Sequence, residues 1–530
     1  MEQLLAFILA ILPILFIFAG LVFFKKSGTY MGIAGWALTV AIAVLFFGTS
    51  LDVALRASFA GILSSFGISL MVLFTILQVT MMDMTGAIKR ITGFIKTIAA
   101  EKYEQVMILN VGLGSLLVSI GATPVTMLPP IMIALGFSPL AAVALPCLGY
   151  DPLTSFSLLA VPITLPAQAF GLDLGLLSSN ISIFLPVVST GLALGMLWVA
   201  EGFDGVRKGF VPAVVAGLTL GISAIVFVRL LPYIGVEFVQ LVGVFSGLMA
   251  IIALFSLRLV SGKPIIIKAA SDSTISPDGG ARMPLRNALL PWGLLIAFCI
   301  LISIPFISTM LHGIPGGLNK VAVYSNKVID LKVLNQAYFW VLVSTVISAP
   351  FLVKSKSQAR EVLKVWARRA WSPTLAAAVF FAIAYVMDYS AQSVVDGALA
   401  FATGAIDLNM NAVIGLSLAA FFGASAFPAV SPLLGLFGCF VSGSEASSNV
   451  MFHGILKKST DVLDIDFMKV YAAHAVSGGI ASGISPAKIV NAAAVIDRLG
   501  IEGEVIRKSA VVSILLTLIV GAILFVWIAL

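Results

Sequence analysis

Charge is what this sequence has least of: 31 Lys and Arg and 24 Asp and Glu make up 10% of 530 residues, where a soluble domain carries about 25%. A chain so poor in charge cannot clothe a water-soluble surface. Cysteine is scarce too. Cys147, Cys299 and Cys439 lie in apolar segments without CxxC or Cys/His spacing, which suggests neither a disulfide framework nor a metal site, so they are read as packing thiols. No nucleophile elbow and no HExxH zinc motif occurs, and neither an enzyme nor a cofactor is expected. The net charge of +7 would point to nucleic acid in a soluble protein, but here the basic residues sit in short loops and report topology instead.

What is present is hydrophobic, 60% of the chain. Apolar runs near the ~20 residues that cross a bilayer recur throughout, among them Leu4 to Phe24, Leu174 to Ala200 and Val511 to Leu530. The first run has no basic stretch before it and meets Lys25-Lys26 rather than a small-residue cleavage site, so it is read as a retained helix. The fold expected is an all-α polytopic protein of the cell's inner membrane with about 12–14 transmembrane helices. Spans are placed at 4–24, 29–49, 54–80, 104–119, 138–165, 174–200, 209–232, 234–257, 286–306, 335–353, 373–403, 411–428 and 510–529. Basic loops, such as Arg207-Lys208 and Arg507-Lys508, mark the cytoplasmic side and put both termini outside.

The chain divides into an N-terminal half, 1–260, a cytoplasmic linker, 261–286, and a C-terminal half, 287–530. The basic amphipathic stretch 354–369 is compatible with a helix lying along the anionic inner surface, and is read as a positive-inside anchor.

A bilayer tolerates non-helical backbone only where protein or a water-filled cavity supplies the missing hydrogen bonds. Four breaks deep in apolar sequence are therefore informative. Val118 to Pro130 reads as the tip of a re-entrant hairpin, 112–136, and Pro146-Cys-Leu-Gly-Tyr-Asp-Pro152 interrupts a broken helix, 138–165. Val441-Ser-Gly-Ser-Glu-Ala-Ser-Ser-Asn-Val450 tips a second hairpin, 430–456, and His474 to Pro486 interrupts a second broken helix, 467–497. Each set closes with a long helix, the first running inward and the second outward by loop charge, so the halves form inverted repeats. Discontinuous helices meeting near mid-membrane are the architecture of many secondary transporters. Single glycines such as Gly112, Gly114 and Gly483 are read as helix-packing residues. Asp151 stands as either a half-helix cap or a ligand, and His453 and Asp388 as interface or kink residues or proton sites.

Several of these segments carry a resemblance. Gly443-Ser-Glu-Ala-Ser-Ser-Asn449 resembles the Gly-Ser-(Asp/Glu)-x-Ser-Ser-Asn tip of the L-lactate permease family, proton-coupled carriers of lactate and related 2-hydroxy acids such as glycolate. Ile484-Ser-Pro486, Thr123-Pro-Val125, Leu135-Gly-Phe-x-Pro-Leu140 and Pro13-Ile-Leu-Phe are also similar to family segments. The first hairpin departs: the family's Glu-Gly-Ala-Ala-Gly-Phe-Gly-Ala-Pro-Val stands here as Leu117-Val-Ser-Ile-Gly-Ala-Thr-Pro-Val125, without the acid. A family Gly-Lys before Ile-Ser-Pro corresponds to Ser482-Gly483, and Asn-Thr-Ala-Pro to Tyr150-Asp-Pro-Leu153. Losing a Lys and gaining an Asp makes the site less cationic than the family's.

The resemblance implies a secondary carrier of a small monocarboxylate coupled to protons by alternating access. With few basic residues at the breaks, hydroxyls and half-helix N–H groups must compensate the anion. Ser119, Thr123, Ser444, Ser447, Ser448, Asn449 and Ser485 are the expected binding residues, and Asp151, Glu445 and His474 the expected coupling groups. The partners expected are a small organic anion, a coupling proton or sodium, and membrane lipid, with a homodimer compatible and nucleic acid excluded. A sodium-coupled carrier of another anion and a cation/proton antiporter stay as alternatives; nothing supplies the ring-like filter of a channel.

Overall fold

The computed structural model describes residues 3–24, 26–99, 101–119, 123–150, 152–235, 238–262, 283–302, 304–314, 319–401 and 408–530. Among them, 8 helices are long and apolar enough to cross a membrane: Gly28–Phe46, Phe66–Met84, Leu185–Tyr233, Val239–Val260, Leu285–Ile302, Lys356–Tyr389, Met410–Val430 and Glu502–Ala529. Shorter apolar helices, such as Pro139–Leu148 and Ala337–Leu352, lie between them. The last long helix shows why the class is a membrane protein. It buries Val512, Leu516, Val520 and Leu524 at helical spacing and exposes Val511, Leu515 and Leu518 on the opposite face, so it is apolar all round.

Three spans differ from the sequence reading. The 54–80 run is two helices, Leu51–Ser64 and Phe66–Met84, meeting at Ser65. The 174–200 run divides after Leu174–Ser182; the reversal of Leu185–Ile234 at Glu201 and Gly202, where φ is +66° at the glycine, falls where the reading separates 174–200 from 209–232. The two arms of Leu185–Ile234 lie antiparallel, Gly217 against Thr190 and Gly221 against Pro186. The 373–403 run ends as helix at Tyr389 and continues as an antiparallel hairpin, Gln392–Val395 with Ala398–Phe401. Asp396-Gly397 forms its turn with φ of 49° and 76°, the pattern a type I′ turn demands. A second hairpin, Lys320–Tyr324 with Lys327–Asp330, joins the first through Asn326, whose side chain bonds both backbone groups of Leu399.

Lys356–Tyr389 runs antiparallel to 51–84. The Gln358 amide reaches the Met84 carbonyl at 3.3 Å, the Trp366 indole the Leu73 carbonyl at 2.8 Å, and the Ala391 N–H the Thr49 hydroxyl at 3.1 Å. A Cβ on Gly61 would lie 2.6 Å from the Phe381 carbonyl oxygen, so only glycine permits this approach. Most of the basic stretch 354–369 is thus the first part of a continuous helix packed on its partner. Of the expected linker, residues 263–282 lie outside the described residues.

The hairpins and broken helices complete the interior. In the expected first hairpin, a π-helical stretch, Met107–Gly114, and Ser115–Ser119 lie beside Pro124–Met127 and Pro129–Ala134, with Asn110 Nδ2 3.7 Å from Met132 Sδ and Gly114 near Leu128. Prolines at the starts of the latter two helices need no N–H partner there. The second is Pro432–Ser442 and Glu445–Leu463, turned at Gly443 with φ +75°. The broken helices are Pro139–Leu148 with Val161–Phe170, and Phe467–Ile480 with Pro486–Ala494.

Candidate functional site

Between Leu148 and Val161 the described residues of the first broken helix form two short 3-10 turns, Thr154–Phe156 and Leu158–Ala160. Thr154, Leu158, Leu159 and Ala160 have φ of 45°, 50°, 56° and 58°. Left-handed backbone at non-glycine residues, a β-branched threonine among them, costs on the order of 1 kcal/mol or more each and persists only where the surroundings hold it. They do: the Ser189 hydroxyl donates to the Pro152 carbonyl at 2.5 Å, and the Ser157 N–H to the Thr154 carbonyl at 2.9 Å.

Three other segments converge on this unwound stretch. Glu445, at the second hairpin's tip and 4% exposed, accepts a hydrogen bond from the Ser155 hydroxyl. Gly479, near the end of the helix Phe467–Ile480, lies against Thr154; a Cβ there would stand 2.8 Å from Glu445 Oε2. The second break meets the first directly, with Gly483 packed on Leu148 and the Ser513 hydroxyl holding the Ile480 carbonyl at 3.2 Å. The tip turn closes the group: a Cβ built on Gly443 lies 2.9 Å from Ala487 Cβ and 3.7 Å from Ser485 Oγ.

Most of the expected residues meet here. Glu445, Ser448, Asn449, His474 and Ser485 are all buried in this region, and Ser444 at the tip is 7% exposed. Ser448 Oγ lies 3.3 Å from His474 Nε2 and donates to the Gly435 carbonyl, and Asn449 Nδ2 donates to the Pro162 carbonyl at 2.9 Å. Ser119 donates to the Ser115 carbonyl at 2.7 Å and approaches from the far side, where it and the Phe156 carbonyl both crowd Gly243. Thr123 is directed elsewhere, 3.4 Å from the Thr75 hydroxyl of Phe66–Met84. Asp151 and the side chain of Ser447 lie outside the described residues. His453 is also apart, stacked on Phe170 at 3.8 Å, and Asp388 ends a helix where its carbonyl accepts from Asn409 at 2.8 Å.

Sequence reasoning passes over Thr154, Ser155, Tyr150 and Lys488. Lys488 is 7% exposed, donates to the Ser482 hydroxyl at 2.5 Å and lies 3.9 Å from the Tyr150 ring centre. It is a buried cation at breaks where few basic residues are expected. The available signal was its spacing: Lys488 follows the break at Ser485-Pro486 within one helical turn.

Several buried polar atoms at this junction have no hydrogen-bond partner among the described residues: Thr154 Oγ1, Asn449 Oδ1, His474 Nδ1, Ser477 Oγ and Ser485 Oγ. Left so, each costs roughly 1–3 kcal/mol. Hydroxyl, amide and imidazole groups are of the kind that can hydrogen-bond a small polar ligand.

The chain is similar over nearly its whole length to known carriers. The profile of the L-lactate permease family matches residues 6–530. The L-lactate permease of Salmonella typhimurium is 23% identical, the alignment covering 97% of this chain and 94% of that protein. A glycolate permease of Escherichia coli is 25% identical over 97% of this chain and 94% of its own length. The L-lactate permease of Bacillus subtilis is 24% identical over 98% and 96%.

Proposed function

The chain belongs to the L-lactate permease family, and on that premise we propose that it carries a small 2-hydroxy monocarboxylate, lactate or glycolate, across the cell membrane with a proton. The observation that carries this reading is the junction of the two breaks, where the segments that meet at one buried carboxylate, Glu445, also carry unpartnered hydroxyl, amide and imidazole atoms. A 2-hydroxy acid offers a carboxylate that accepts and a hydroxyl that donates, which matches such a lining of Ser485, Asn449 and His474. Glu445 is the proton carrier in this reading, because a single acid in the membrane interior can alternate between charged and neutral forms as the site changes sides.

In the same reading the two hairpins and broken helices are inverted repeats within the halves 1–260 and 287–530, and move as one unit against the remaining helices, 51–84 and 356–389 foremost. The test is counterflow in proteoliposomes preloaded with unlabelled acid. Labelled L-lactate and glycolate should both be taken up transiently. Absence of counterflow with both acids overturns the reading.

A further inference from the structure

The geometry points to Lys488 as the cation that receives the carboxylate of the transported anion, an inference that rests on the function proposed above. Arg258 and Lys488, each 7% exposed, are the two buried cations among the described residues. Arg258 lies away from the junction, bonded to the Ile98 carbonyl and 3.8 Å from Glu104. Lys488 lies within it. Its ammonium touches both breaks at once, the Tyr150 ring from the first and the Ser482 hydroxyl from the second.

The neighbouring groups are those an anion requires. Lys488 sits in the first turn of Pro486–Ala494, a nine-residue helix whose N-terminal end faces the tip at Gly443. Ser485 precedes that helix without capping it, and its fully buried hydroxyl has no partner among the described residues. A helix N-terminus attracts negative charge, and here a buried donor and an ammonium stand beside it. A carboxylate between Ser482 and Ser485 would meet the lysine as a point charge and the serine as a hydrogen-bond donor. Lys488, reaching back from the next helix, puts an ammonium on that same stretch.

The consequence is that Lys488 sets affinity for the carboxylate, and loses it when neutralised. The test compares wild type, K488Q and K488M by half-saturating L-lactate concentration in counterflow, and by stabilisation of the purified protein against heat by L-lactate. K488M has a chain that needs no polar partner, and covers the case in which K488Q does not fold. Loss of a charge-assisted contact is expected to raise half-saturation by about 30-fold or more, with thermal stabilisation by lactate abolished in a variant that unfolds cooperatively without ligand. Wild-type half-saturation in either folded variant overturns the assignment while leaving the carrier reading intact. No counterflow in the wild type sinks both.

Discussion

Asn449 and Pro162 are joined by a hydrogen bond of 2.9 Å from side-chain amide to backbone carbonyl, across 287 residues of sequence. The bond answers a specific need. In the helix Val161–Phe170 the carbonyl of Pro162 would accept from residue 166, but residue 166 is proline and has no N–H. The second hairpin supplies the missing donor, so the tip and the first broken helix are fastened by the proline that interrupts one of them.

Replacing Asn449 with Ala should therefore cost both transport and stability. Counterflow of lactate should be lost, and the stranded carbonyl should lower unfolding stability by roughly 1 kcal/mol, the range for buried interhelical hydrogen bonds in membranes. P166A restores an N–H inside the helix, so stability of the double variant should exceed the sum of the single effects. Additive thermal shifts in the four-protein cycle would contradict the pairing.

Gly479→Ala should be as damaging without removing any polar group. The added Cβ would stand 2.5 Å from Thr154 Cβ and 2.8 Å from both its Cα and Glu445 Oε2, and the strained threonine backbone cannot give way cheaply. Overpacking of this kind costs about 1–3 kcal/mol. A lowered thermal midpoint together with lost counterflow is expected. Normal values for both would mean that the breaks do not meet as described.

At the basic end of Lys356–Tyr389, Arg369 is bonded to Asp497 at 3.1 Å and 2.6 Å and lies 3.8 Å from Asp83. The guanidinium's hydrogen bond holds the Asp497 carboxyl below its ordinary value of 3.8. Because the folded value is the lower one, the pair's contribution is complete above the ordinary value and is lost as pH falls through the folded value. With Asp497 about half exposed, 52%, the gain is small. Thermal midpoints measured from neutral pH down to pH ~3 should fall more steeply in wild type than in D497N; parallel curves would show that the pair contributes nothing.

Much of this was legible in the sequence, and for identifiable reasons. Apolar length gave the membrane class, and the density of Ser444, Glu445, Ser448 and Asn449 marked the second tip, because polar groups inside a bilayer need a purpose. What escaped was geometry that no local pattern encodes. Ser155 and Thr154 matter because an unwound backbone turns them toward Glu445 and Gly479, and Lys488 because its long chain reaches back over the break to Ser482. Thr123 looked equivalent to Ser119 in the first tip, yet it turns to Thr75 on the neighbouring helix. The Asp396-Gly397 hairpin was hidden by a second effect: its strands are as apolar as a span, and only the Asp-Gly pair distinguishes them.

The most direct measurement of the central claim is accumulation of labelled L-lactate in proteoliposomes under an acid-outside pH gradient, for the wild type and E445Q together. The wild type should concentrate lactate above the level reached without a gradient, while E445Q, which keeps the hydrogen-bonding shape but holds no exchangeable charge, should exchange lactate without concentrating it. A wild type indifferent to the gradient, or an E445Q that accumulates lactate as the wild type does, would contradict proton coupling through Glu445 at the junction of the two broken helices.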